Sequence, residues 1–129
     1  MDLKSLSVEQ LNAAADSALE EAAVWLHNLV SELAARLQPF ASFGNMVSIQ
    51  AIELQPTIQP RVDRGCVVVC PDGEICELNL QVLPGIGDVS EVEPVEEFRA
   101  LSLTAAEYIV YGAAAVQVLT QELRRRGTP

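Results

Sequence analysis

The chain has 129 residues, half of them apolar, with eighteen acidic side chains against eight basic ones and a formal charge of −10. That length and apolar content suit a single domain over 1–129 with its own core, needing neither disulfide nor metal staples. The charge argues against phosphate backbones and anionic membrane surfaces, which are approached through clustered Lys and Arg, and leaves a basic protein surface as the partner that electrostatics would steer.

The N-terminus, Met1-Asp2-Leu3-Lys4-Ser5-Leu6, has neither the basic start nor the apolar run of an export signal. No stretch reaches the ~20 apolar residues of a bilayer span. Cys66, Cys70 and Cys76 are an odd number and read as free thiols in a reducing, cytoplasmic setting.

Ser7 and Gln10 stand three residues apart with Leu6 and Leu11 flanking them, the pattern of a capping box with its hydrophobic staple. A first helix is therefore expected over 7–38, stopped by Pro39. Its apolar stripe runs Leu11, Ala15, Leu19, Ala22, Leu26, Val30, Leu33 and Leu37 at three-and-four spacing. Asp16, Glu20, His27 and Ser31 lie near one line on the other face. His27 is the only histidine; with no second group nameable within hydrogen-bond reach, it reads as a solvated surface residue. Trp25, at the stripe's edge, reads as a boundary packing residue. From Val8 to Gln38 a continuous helix would be about 46 Å long, against a diameter of about 36 Å for a compact domain of this size. Such a helix breaks or overhangs, and an overhanging apolar stripe is most simply covered by a second copy.

Beyond Gly44 the period changes to two: Val47, Ile49 and Ala51 alternate with polar residues, then Ile52 and Leu54 take the other phase, so a bulge is expected near Ala51–Ile52. The 44–83 region ends in a hairpin, with Cys66–Cys70 and Ile75–Leu83 as its strands and Pro71-Asp72-Gly73 as a three-residue turn. That loop length sets Val68 opposite Cys76 and Cys66 opposite Leu78. All three thiols then share one side of the sheet, expected to be the core side. Cys66 and Cys70 are about 13 Å apart along one strand, too far to share one zinc ion.

An acidic connection follows over 84–103, with no Lys or Arg between Arg64 and Arg99. Glu91, Glu93, Glu96 and Glu97, with Phe98, form the candidate interaction surface for a basic partner. A connection this long without structure is unusual, so part of it is expected as an additional strand or a segment laid across the sheet. Thr104 and Glu107 repeat the capping box and open a last helix over 104–126, closed by Arg124 to Arg126 and Gly127. Its middle is apolar nearly all round, as in a helix buried on several sides.

The order helix, strands, helix points to an α+β domain, with an antiparallel sheet of three to five strands and both terminal helices packed on one face. No phosphate loop, nucleophile elbow, zinc spacing or internal repeat is present, so no catalytic residue, metal or cofactor is expected. The leading expectation is a small non-catalytic interaction domain (an adaptor, assembly factor or chaperone-like protein) that self-associates through Leu26, Leu33, Gly112 and Val116. The alternative is a small-molecule-binding domain or small enzyme whose pocket is lined by Glu107, Tyr108 and Tyr111.

Overall fold

The computed structural model describes residues 2–44, 46–56, 66–83 and 93–127. After a short 3₁₀ turn at Leu3–Ser5, helix α1 spans Val8–Arg36 and helix α2 spans Ala105–Arg125. Between them come β1 (Ser42–Phe43), β2 (Met46–Gln50), β3 (Ile52–Glu53), β4 (Cys66–Val69), β5 (Ile75–Leu83) and β6 (Glu93–Ala100). Both capping boxes form. Gln10 N–H donates to Ser7 Oγ at 3.1 Å and Glu107 N–H to Thr104 Oγ1 at 3.2 Å, while the Gln10 and Glu107 side chains accept from the cap N–H groups. Backbone donors that a helix start leaves free are thus satisfied at each end of the chain.

The architecture is α+β, with the two helices packed against each other over antiparallel sheets. β3, β4, β5 and β6 form one four-stranded sheet in that order, and β1 and β2 form a separate pair. The two sheets meet at Ala51, between β2 and β3. The change of phase that suggests a bulge in the sequence is the point where the chain leaves one sheet for the other. Ala51 itself is buried and donates its N–H to Ala41 O at 3.1 Å.

β4 is buried on both faces, which explains its unbroken run of valines. Val67 and Val69 join Val30, Ala34, Leu37, Tyr111, Ala115 and Leu119 in the main core beneath the helices. Val68, on the opposite face, packs with Ile49, Ala51 and Leu78 in a smaller cluster against β1–β2. The hairpin pairs Val68 with Cys76 and Cys66 with Leu78, the register a three-residue loop dictates. The thiols face the smaller cluster, however, and not the helix-covered core. A valine run buried on both sides conceals which face is which.

The 84–103 stretch, read as an acidic connection, contains β6, which pairs antiparallel with β5 from Cys76↔Ala100 to Leu83↔Glu93. Residues 84–92 lie outside the described residues. The additional strand expected within this stretch is present as β6, with Val95 and Phe98 set among its acids.

α1 and α2 run in the same direction. The start of α2 at Thr104–Ala106 lies beside Asp16–Glu20, Gly112 faces Leu26, and the Arg126 guanidinium donates to Pro39 O. A Cβ at Gly112 would sit 3.1 Å from the Tyr108 ring and 3.5 Å from Leu26, so glycine is what lets that ring and that leucine share the seam. Since α2 begins only opposite Leu19, the first part of α1 has no neighbour alongside it among the described residues. At 29 residues, α1 is about 43 Å long, and it is unbroken.

Candidate functional site

The longest run of exposed residues among the described ones follows from that mismatch of helix lengths. All fifteen residues from Val8 to Ala22 are exposed, although they carry the same apolar spacing as the half that seals the core. Leu11, Ala15, Leu19 and Ala22 form one stripe that continues directly into Leu26, Val30 and Leu33 under α2. Leu3, Val8 and Val24 are also largely exposed, and Trp25 is 67% exposed. Trp25 is therefore not the boundary packing residue its position suggests. The stripe is flanked by Glu9, Asp16, Glu20 and Glu21, with no Lys or Arg between Lys4 and Arg36.

The four residues expected at a dimer contact fall within one chain's helix seam. Gly112 is buried opposite Leu26, and Leu33 and Val116 are partly buried against the main core.

A second feature lies where three elements converge. Gly73 adopts φ +85° at the hairpin turn, and a Cβ there would sit 2.6 Å from Ser31 Cα, so the turn rests directly on α1. This contact brings Glu74 to His27, one helical turn earlier, with Oε1 3.0 Å from Nε2. The hairpin covers only the Ser31 end of the face read as solvated: Asp16 and Glu20 are exposed and the His27 side chain stays 43% exposed, but His27 has a carboxylate partner 47 residues away in sequence. Helical spacing could not have revealed it; the short turn and its obligatory glycine were the available signal. The Tyr108 ring stands 6.1 Å from the imidazole. Burial, and secondarily the Glu74 charge, push its phenol up to about 12.

Ala23, Val24, His27, Leu103, Ala105 and Tyr108 line an open hollow of about 280 Å3 there. Of the expected pocket residues only Tyr108 borders it. Glu107 is engaged in the α2 capping box, and Tyr111 is fully buried in the main core with no partner for its hydroxyl among the described residues. Among the described residues the imidazole is bonded to the Glu74 carboxylate and Ser31 makes no hydrogen bond to it.

Among the described residues no cluster of three or more His, Cys, Asp or Glu could hold a metal ion. Burial pushes the Cys66 thiol up to about 11 and the Cys70 thiol up to about 12, and raises Cys76 as well. Glu53 beside Cys66 and the hydrogen-bonded Cys70–Cys76 pair act further on these values. Thiols held protonated are poor nucleophiles and poor ligands.

In the basic cluster at the end of α2, Arg125 and Arg126 both bond to Glu122 of the same helix, besides the Arg126 bond to Pro39 O. Arg125 Nε donates to Glu122 Oε2 at 3.0 Å and Arg126 Nε to Glu122 Oε1 at 3.1 Å. Chiefly through the Arg125 bond, Glu122 is held below the usual carboxylate range.

The acidic candidate residues Glu93, Glu96 and Glu97 belong to β6, at the edge of the four-stranded sheet. Phe98 follows them on the same strand and is 40% exposed, while Glu91 lies outside the described residues. No helix among the described residues is long and apolar enough to cross a membrane.

Fold and surfaces together define an α+β domain with an overhanging amphipathic helix and an open acidic sheet edge. Comparison with protein-family models, with curated proteins and with solved structures finds no match.

Proposed function

We propose that the protein is a non-catalytic interaction domain that works as a homodimer, joined through the overhanging half of α1. The observation that carries this reading is the exposure of every residue from Val8 to Ala22, on a helix whose apolar stripe is continuous with the intramolecular seam. Exposed apolar stripes of this kind mark association surfaces. A second copy fits because the stripe is self-complementary. Two overhangs crossing antiparallel place Leu11 of one against Leu19 of the other, with the small residue Ala15 between them, and each tip meets the step where the other copy's α2 begins. Such a seam runs about 22 Å and buries on the order of 1,000 Å2 in total, near the lower limit for a specific interface.

The same reading gives the dimer a second contact, with a protein presenting a basic surface to the acidic stretch Glu91, Glu93, Glu96, Glu97 and Phe98. It also places the protein in the cytoplasm, where free thiols persist.

Sedimentation equilibrium tests the association. The expected result is a dimer at micromolar concentration that becomes a folded monomer in a Leu11→Asp, Leu19→Asp variant. A wild-type monomer at that concentration would remove the proposal.

The alternative, a small-molecule site, is favoured by the apolar hollow that His27 and Tyr108 line, with Glu74 bonded to the His27 ring. Its volume is just under the usual range for ligand pockets. A fragment screen by NMR, repeated on His27→Ala, tests it: shifts centred on Ala23, Leu103 and Tyr108 and lost in the variant would support it.

A further inference from the structure

β6 is the outer strand of the four-stranded sheet, hydrogen-bonded to β5 along eight registered pairs and to no other strand among the described residues. In an antiparallel pair alternate residues turn their N–H and C=O groups away from the partner, so the outer side of β6 presents a ladder ready for another strand. The strand is also uncovered above and below at its C-terminal end, where Phe98, Arg99 and Ala100 are exposed in succession. Successive residues point to opposite faces, so neither side is closed over there among the described residues.

Charge decides what that ladder accepts. β6 itself carries Glu93, Glu96 and Glu97 against a single base, Arg99. A second β6 from another copy would bring Glu93, Glu96 and Glu97 with Arg99 as its single base to an edge of the same composition, so like charges outnumber opposite ones across the new pair, which is destabilising. A strand with Lys or Arg at alternate positions would set opposite charges there instead. The structure thus points to β-strand addition: we infer that β6 takes an extended basic peptide as a further strand of the sheet. Phe98 offers an apolar contact beside the ladder. This inference rests on the reading of the acidic stretch as a surface for a basic partner, and adds how that partner is held.

A peptide of alternating Lys and Val, fluorescently labelled, is the probe, titrated into the full chain in low salt. Saturable binding at micromolar peptide is expected, with none for the alternating Glu and Val peptide. An N-methylated version, blocked at every second amide on the pairing side, keeps its charge but cannot complete the ladder. It should bind at least tenfold more weakly. A Glu96→Lys, Glu97→Lys variant, checked for fold by circular dichroism, should lose binding to a similar degree. Equal binding of the plain and N-methylated peptides would overturn strand addition while leaving a basic partner in place. Failure of every basic peptide to bind would overturn both.

Discussion

The two halves of α1 share one helix and one apolar period but have different surroundings. From Ala23 to Arg36 the stripe lies under α2 and over β4, and Val30 and Ala34 are sealed from solvent. From Val8 to Ala22 nothing is buried. Periodicity records that a face is meant to be covered; it does not record by what. The cover is supplied from within the chain only as far as α2 extends, and α2 begins with a capping box whose Thr104 stands opposite the Asp16–Glu20 turn.

The largest contrast should come from matched leucine truncations. Leu37→Ala removes a side chain with no solvent exposure from the main core and should cost between about 2 and 5 kcal/mol of unfolding free energy. Leu19→Ala, in the overhang, should cost less than about 1 kcal/mol in dilute solution, because little burial is lost. Chemical denaturation of both at low concentration makes the comparison. At high concentration the Leu19 variant should lose more, if the overhang is covered by a second copy.

Gly73→Ala probes how the covered half is held. Its φ of +85° and the 2.6 Å approach of a new Cβ to Ser31 Cα leave no cheap accommodation. Left-handed backbone alone costs about 1–2 kcal/mol for a non-glycine residue, and the conflict with α1 backbone adds to that. A loss of about 2 kcal/mol or more is expected, together with chemical-shift changes at His27 and Glu74. A small effect with no change at His27 would mean that the turn does not rest on α1.

The two caps should behave differently although their chemistry is the same. Thr104→Ala loosens the start of a helix that packs on the core and should cost about 1 kcal/mol. Ser7→Ala frays only the free end, so its effect on global unfolding should be smaller and visible mainly as lower helicity by circular dichroism.

The smallest effect is on pH dependence. Cys66, Cys70 and Tyr108 all titrate higher in the folded chain than their ordinary values of 9.0 and 10.0. Their protonated forms are the ones the fold favours. Their contribution is complete below about pH 9 and is lost as pH rises toward 11–12. Melting temperature should hold near neutrality and then fall above pH 9. Replacing all three cysteines with Ala should move the onset toward pH 10, where Tyr108 begins to respond.

Local signals and short-range spacing were legible in the sequence. Ser7-Gln10 and Thr104-Glu107 mark helix starts, and Pro71-Asp72-Gly73 sets a register to the residue; the slip after Ala51 is visible too, but it reads as a bulge where the chain in fact changes sheets. Contacts between distant segments were not. The Glu74 carboxylate reaches His27 because a glycine turn lies on Ser31, and neither helical nor strand periodicity encodes that meeting. Leu26 and Gly112 read as surplus apolar positions because a sequence shows that two helices are apolar without showing that they lie side by side. The valines of β4, apolar on both faces, gave no sign of which side the thiols take.

Hydrogen exchange along α1, measured at micromolar and at hundredfold lower concentration, tests the central claim most directly. At the higher concentration the amides of Leu11 to Ala22 should be slow to exchange. On dilution they alone should become fast, while those of Val30 and Ala34 stay protected. Equally fast exchange of the N-terminal half at both concentrations would contradict the account, because the stripe would then have no cover in any state of the protein.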